Sequence, residues 1–323
     1  MKILYTADLH IKLGQKNVPK EWQKNRFKKF FEEFCILAED ADLVILGGDI
    51  FDRAPNLEEL ELYFQLVTRL PTKTYIYDGN HEATRKGHTF FEALKPVTEA
   101  LNKNVTILLG AQQIEEGGQK IDFIPYTDLY KLKTDQFSDL TSDLLCTHVR
   151  GDIPPHVTAE VDLTLFNKWK TVLAGDLHSY SNSQRNILYP GSPLTTSFHR
   201  KEVKTGVILF DTDDHSHIWI ELKLPQLIRK TVDNMQDAIA TGFHHTVYEI
   251  EGSSLELADI DTKNDLIDKK LVKREYSSTL DLSNKTLREE VIIYLQDIQH
   301  LSGTEISTVM GVFDDIYTKT AVE

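Results

Sequence analysis

The sequence predicts an α/β protein whose two sheets stack as a sandwich flanked by helices, followed by a small α+β module and C-terminal helices. Three patterns carry this reading. In the first 110 residues the apolar runs KILYTAD, DLVILGGD, KTYIYDGN and VTILLG alternate with helix-like stretches at Glu21 to Asp40, Asn56 to Arg69 and Gly87 to Leu101, as in βαβ units whose strands are buried on both faces. The next runs, KIDFIPY, DLLCTHV, TVLAGD, NILYPG, GVILFD and HIWIELKL, have few long helices between them, which favours a second sheet over one doubly wound sheet. After the polar turn DTDDHSH the pattern weakens, and near the end apolar residues recur at steps of three and four, the spacing of amphipathic helices.

Element by element, residues 1–222 are expected to form the main domain and 223–278 a module with a helix at Asn234 to Thr241 and a strand at TVYEIEG. Residues 279–323 are expected to form two helices, the first carrying Leu287, Val291, Tyr294, Leu295 and Ile298, the second Ile306, Val309, Met310 and Phe313. Ser283 and Thr304 are the expected N-caps, since a hydroxyl there can accept the free N–H groups of a first turn.

At 323 residues with 41% hydrophobic content the chain can bury a sizeable core. Cys35 and Cys146 are too few for a disulfide framework or a thiolate zinc site, and their apolar neighbours favour core packing. No run approaches the roughly 20 apolar residues of a membrane span, and the start, MKILYTADLH, meets charge too early for a signal peptide, so a cytoplasmic protein is expected. The net charge of −14 argues at first against a nucleic-acid partner. Yet 22 acidic against 11 basic residues lie from Asp211 onward, leaving 28 against 25 before it. Acidity belongs mostly to the C-terminal third.

Residues suited to chemistry fall where strands are expected to end: Asp8 and His10; Asp49, Asp52 and Arg53; Asn80, His81 and Glu82; His148; and Asp176 and His178. Ligands of open α/β sheets collect outside the carboxyl ends of strands, so these loops can converge. An oxygen and imidazole inventory without thiolate suits manganese, iron or zinc with open positions. Seven ligands are too many for one ion and suit two sharing a carboxylate, about 3.5–4 Å apart, with a bridging hydroxide as nucleophile on a phosphoester.

The motifs D-x-H, G-D-x-x-D-R, G-N-H-E, a single His and G-x-x-H, in this order, resemble those of the calcineurin-like metallophosphoesterases. The strand-end spacing, THVRG, and YPGSPLTTSF at Tyr189 to Phe198 resemble the SbcD-type nucleases in particular, including phage-encoded members. The superfamily likeness covers about residues 1 to 220, and beyond that it is architectural. The resemblance implies one metal on Asp8, His10, Asp49 and His178, a second on Asp49, Asn80, His148 and Asp176, and Asp49 as the bridge. It implies two divalent ions, Mn2+ foremost with Mg2+ as the other candidate. His81 would face the scissile phosphate and stabilise charge or protonate the leaving 3′ oxygen, and the Asp52 carboxylate would orient it. Glu82 and Arg53 would support the site from behind. The chain departs from the family's G-H-x-H at Asp176, where a carboxylate replaces an imidazole and would make the second site harder.

The resemblance further implies exonuclease action on DNA ends and endonuclease action on hairpin or single-stranded DNA, in recombination, repair or replication. It implies a complex with an SbcC-type SMC-like ATPase, as a homodimer within a two-plus-two assembly. The alternatives are a phosphatase or cyclic-nucleotide phosphodiesterase of the same superfamily, and a non-catalytic scaffold decayed at Asp176.

Lys12, Lys16, Lys20, Lys24, Arg26, Lys28 and Lys29 stand against one acid, Glu21, directly after the D-x-H loop. Lys12, Lys16 and Lys20, with Arg53, are the expected DNA-phosphate contacts, and Trp22 among them is read as a packing residue. His215, His217, His244 and His245 are read as surface residues. Ser192 has no adjacent base and is read as part of a structural turn. Leu287, Val291, Leu295, Ile298, Val309 and Phe313 are the expected partner-binding stripe, because short amphipathic helices need a surface to bury against.

Overall fold

Apolar alternation in the N-terminal strands decides the layering. In the computed structural model, which describes residues 1–85, 87–134, 136–253, 257, 266–272, 282 and 285–320, strand β1 (Lys2–Thr6) buries Ile3 and Tyr5 on one face and Leu4 on the other. Such a strand needs cover on both sides. The chain continues through α1 (Lys20–Glu39), β2 (Leu43–Gly47), α2 (Leu57–Arg69), β3 (Thr74–Tyr77), a hairpin of β4 (Ala83–Arg85) and β5 (His88–Thr89), α3 (Phe91–Leu101) and β6 (Val105–Ile107). Next come β7 (Gln112–Glu116), β8 (Gln119–Ile124), β9 (Leu144–His148), β10 (Thr171–Gly175), β11 (Ile187–Leu188), β12 (Gly206–Asp211) and β13 (His217–Glu221).

These strands form the expected two sheets. The first has the order β13-β12-β1-β2-β3-β6, parallel from β1 to β6, with β12 and β13 returning antiparallel. The second, β11-β10-β9-β8-β7, is parallel except at β7. Between them pack Ile3, Tyr5, Ile45 and Tyr77 from one side and Phe123, Leu144, Cys146 and Leu173 from the other. The outer face of the first sheet meets Phe27, Phe30, Phe31 and Phe34, spaced along α1 at three and four residues. Each such side chain contributes about 1.5–3 kcal/mol when buried. On the outer face of the second sheet, irregular segments bring Leu129, Phe166 and Trp169. Both cysteines are free, and Cys146 is core packing as expected.

Beyond the sandwich, β14 (Leu227–Val232), β15 (His245–Gly252) and β16 (Ile267–Val272) form a parallel three-stranded sheet. The helix expected at Asn234 to Thr241 is instead a single 3₁₀ turn at Met235–Asp237. Its apolar residues Met235 and Ile239 are exposed, and so short a helix without a packed face is not stable. His245 is buried rather than on the surface: its ring packs on Trp22 with centroids 5.3 Å apart, which also makes Trp22 the packing residue expected.

The chain divides into two compact units, Met1–Val272 and Lys273–Glu323. The small sheet lies in the first, tied to it by Leu227 N–H on Thr195 Oγ1 at 3.0 Å and by Asn17 Nδ2 on Asp268 Oδ1 at 3.1 Å. In the second unit, α4 (Leu287–Ile293) runs on as a π turn over Tyr294–Ile298, and α5 spans Gly303–Thr320. The expected cap Ser283 lies outside the described residues; Thr286 caps α4 in a reciprocal box with Glu289. Ser302, bound to Glu305, takes the place expected for Thr304, which already lies inside α5. Leu287, Ile298 and Val309 are exposed, while Val291, Leu295 and Phe313 are half-buried. Among the described residues no helix is long and apolar enough to cross a membrane.

Candidate active site

The loops leaving β1 and β2 run side by side. Asp8 N–H donates to Gly48 O at 3.0 Å, His10 N–H to Asp49 O at 2.9 Å and Ile11 N–H to Ile50 O at 2.8 Å. In the second sheet His148 ends β9 directly opposite Gly175 of β10. The two sheets therefore deliver their carboxyl ends to one seam. Asp8, His10, Asp49 and Asp176 all hold left-handed backbone, with φ of 57°, 46°, 50° and 100°, four of the eight non-glycine residues that do so among those described. Each costs on the order of 1–3 kcal/mol and persists only where its surroundings over-determine it. Gly48, at φ 86°, has no room for a side chain: a Cβ there would lie 2.6 Å from His148 Nδ1.

Three imidazoles turn Nδ1 away from the centre. His148 Nδ1 donates to Gly47 O at 2.9 Å, His178 Nδ1 meets Thr196 Oγ1 at 3.1 Å and His10 Nδ1 lies 3.6 Å from Asp52 Oδ1. Their Nε2 atoms are thereby left for the centre. His10 Nε2 and His178 Nε2 are 3.0 Å apart, His148 Nε2 is 3.0 Å from Asn80 Oδ1 and 3.4 Å from Asp49 Oδ2. Two donors about 2.1 Å from one ion and at right angles to it stand about 3.0 Å apart. Ligand atoms of Asp8, His10 and His178, of Asp8, Asp49 and His148, and of His10, Asp49 and His81 each lie within 4.8 Å of one another. Asp8, His10 and Asp49 each belong to two of these groups, and carboxylates can be shared between ions, so the donor set fits a pair of divalent cations.

Burial and neighbouring charge oppose each other in this seam. Burial, opposed by His148 and reinforced by the Asp49 charge, pushes Asp8 up to about 7. Burial would raise Asp49 too, but the imidazoles of His148 and His10 hold it well below the usual carboxylate range. Burial and the charge of His10 push His178 down to about 4.

Two expected roles come out differently. Asp52 reaches His81 through its backbone carbonyl oxygen, which faces His81 Nδ1. Its carboxylate, expected to orient His81, lies between His10 and Lys12, 2.7 Å from Lys12 Nζ, because those groups offer the stronger charge-assisted contacts. Asp176 gives its N–H to both oxygens of Asp8, at 3.0 and 3.2 Å, while its carboxylate accepts from Arg150 Nε at 3.0 Å and Nη2 at 3.3 Å. It is in none of the three ligand groups.

A family profile for calcineurin-like phosphoesterases matches residues 1–180. The chain belongs to the calcineurin-like phosphoesterases. It is 40% identical over 322 residues, 96% of this chain and 97% of the other, to the "Probable exonuclease subunit 1" of Escherichia phage T5. It is 22% identical over 249 residues, 72% of this chain and 82% of the other, to the "Putative phosphoesterase 244L" of Invertebrate iridescent virus 6. An archaeal phosphodiesterase of known structure aligns with 69% of this chain and 100% of its own, at 16% identity and a TM-score of 0.39. The chain is thus a metal-dependent phosphoesterase.

The basic strip of this phosphoesterase is more neutral than its sequence suggests. Lys12 is on Asp52, Lys20 and Lys24 are on Glu58, Lys16 is 4.0 Å from Asp268, and Arg53 grips buried Glu59 with both amines. Residues that sequence reasoning passed over as a turn prove to hold the site. Tyr189 OH donates to Val149 O, Ser192 Oγ to Asp8 O and Ser192 N–H to His178 O, so one segment ties three of the motif loops. The signal was the fingerprint YPGSPLTTSF itself, whose hydroxyls are spaced to reach several loops.

Glu82 clamps the remaining loops. Fully buried, its carboxylate accepts the N–H groups of Asp49 at 2.9 Å, Phe51 at 2.9 Å and Gly79 at 2.8 Å. Glu82→Gln puts an amide N–H against one of these donors. We expect it to lower unfolding stability by about 1.5–3 kcal/mol and to weaken metal binding about 10- to 100-fold, read by denaturant titration and calorimetry. Unchanged values in both would show that the clamp is dispensable.

Proposed function

We propose that the chain is the nuclease subunit of an SbcD-type complex that hydrolyses DNA phosphodiester bonds, as an exonuclease on ends and an endonuclease on hairpin or single-stranded DNA. The observation that carries this reading is the 40% identity, across nearly the whole of both chains, to a phage protein named as an exonuclease subunit. A subunit has a partner, and for this chain we assign an SbcC-type SMC-like ATPase in a two-plus-two assembly, working in the cytoplasm in recombination, repair or replication. Residues 223–278 would cap the site and 279–323 would bind the partner.

In this reading Asp8, His10, Asp49 and His178 hold one ion and Asp49, Asn80 and His148 the other, with Mn2+ the first candidate for this oxygen and imidazole set and Mg2+ the second. Two such ions supply an activated water and charge neutralisation at the phosphate. The protein's own part is to fix the ligands through backbone carbonyls and hydroxyls and to present His81. With His81 Nδ1 committed to the Asp52 carbonyl, Nε2 is the atom that can pass a proton to the departing 3′ oxygen. Nε2 is also 3.9 Å from Asp49 Oδ2, so a ligand role has to be separated from an acid role.

His81→Asn should lower kcat about 10²- to 10⁴-fold while calorimetry still counts two manganese ions per chain; loss of one ion would make His81 a ligand instead. For substrate class, linear duplex DNA and p-nitrophenyl phosphate are compared with Mn2+ and with excess EDTA. We expect manganese-dependent DNA hydrolysis, abolished by EDTA, and slow turnover of the monoester. Rapid monoester turnover without DNA cleavage, even with the ATPase co-expressed, would overturn the nuclease reading. Deleting the chain from residue 279 onward should abolish co-purification of the ATPase and leave cleavage of simple DNA substrates intact; retained association would remove the partner assignment from these helices.

A further inference from the structure

A groove of about 380 Å³ opens on the metal-ligand cluster, and its lining includes His10, Asp49, Asn80, His81 and one guanidinium, Arg150, with no lysine. Of the basic residues expected to meet DNA, Lys12 and Arg53 are held by Asp52 and Glu59, and Lys16 and Lys20 lie against Asp268 and Glu58. Arg150 follows the ligand residue His148 by two positions, and its partner Asp176 precedes His178 by two. Because His148 and Gly175 are register partners, the two parallel strands place Arg150 and Asp176 together as they leave the sheet.

The pair is built asymmetrically. The Asp176 side chain is only 7% exposed and the Arg150 side chain 44%. Nε and Nη2 are committed to the carboxylate, Nη1 makes no hydrogen bond among the described residues, and the main-chain N–H of Arg150 is anchored on Glu160 Oε1 at 3.0 Å. A rotamer-rich side chain is thus held at two points with part of its donor fork unspent. Guanidinium forks match phosphate oxygens in geometry as well as charge. The groove otherwise presents the carboxylates Asp49, Asp52 and Asp176 to an anionic substrate. A carboxylate at position 176 can accept two guanidinium bonds at once, which an imidazole there cannot.

Resting on the phosphodiesterase reading above, we propose that Arg150 is a substrate-binding residue that donates to a non-bridging oxygen of a DNA backbone phosphate in the groove, with Asp176 as the positioning residue that aims it. This assigns the Asp176 carboxylate to the guanidinium and not to the second metal.

The test uses the full chain and the variants Arg150→Gln, Arg150→Lys and Asp176→Asn. Three quantities are measured: anisotropy of a fluorescent single-stranded oligonucleotide in EDTA across a salt series, manganese stoichiometry by calorimetry, and KM and kcat with Mn2+. Arg150→Gln should raise Kd and KM about 10-fold and flatten the salt slope by about 0.7, one phosphate contact on a single strand. Two manganese ions should still bind. Arg150→Lys, which keeps Asp176 paired but lacks the fork, should fall between. Asp176→Asn should show the KM effect with full metal occupancy. An unchanged salt slope and KM in Arg150→Gln overturns the proposal, as does loss of one manganese ion in Asp176→Asn. If the wild-type chain fails to cleave DNA, the nuclease reading fails, and the binding slope in EDTA still judges Arg150 by itself.

Discussion

Two carboxylates buried side by side at the seam between two sheets dictate the construction of this site. Asp8 and Asp49 are 0% and 2% exposed, and paired anions in a dry interior are costly unless counter-charged. Imidazoles from three loops face them, and against the effect of burial the carboxylates raise His148 and His10 above the ordinary imidazole range. Burial pushes Asp8 up and His178 down. Divalent cations are the counter-charge that such a set of hard oxygens and Nε2 atoms is suited to hold.

That arrangement is sustained from outside. Left-handed backbone at Asp8, His10, Asp49 and Asp176 is unfavourable in isolation, so neighbouring segments must hold it. Glu82 gathers the N–H groups of two loops, and the 189–198 segment ties the Asp8, Val149 and His178 loops with Ser192, Tyr189 and Thr196. Below, the sandwich gives these clamps a stiff base: Tyr77 OH donates to Thr147 O and shares a hydrogen bond with Tyr5 OH, so both buried tyrosine hydroxyls under the site are satisfied. The energy for this comes from ordinary burial, foremost the phenylalanine stripe of α1 against the first sheet.

The sandwich and the convergence of the motif loops were legible because both rest on short-range rules. Apolar runs buried on two faces imply covered parallel strands, and parallel strands bring their carboxyl ends together, so the motif residues meet without further information. What failed was set by tertiary contacts. Helical spacing over Asn234 to Thr241 had nothing to pack on, and His245 found Trp22 across the fold. Whether Asp52 meets His81 by carboxylate or by carbonyl depends on rotamers, which a sequence does not record. The Asp176 partner was hidden for a different reason: it lies 26 residues away and is brought close only by the register of β9 against β10.

The charge of −14 takes on a different meaning in this light. The basic stretch after the D-x-H loop stands out in an acidic chain, yet Asp52, Glu58 and Glu59 pair with Lys12, Lys20, Lys24 and Arg53. Nonspecific DNA affinity scales with the number of phosphates neutralised by free Lys and Arg, and few are free near the groove. On the nuclease reading, a chain so balanced binds DNA weakly by itself and leaves most of the backbone contacts to its partner. Its own contribution is then concentrated at the cleavage point, where metal ions and one aimed guanidinium recognise the phosphate that reacts, and this ties cleavage to delivery of DNA by the assembly.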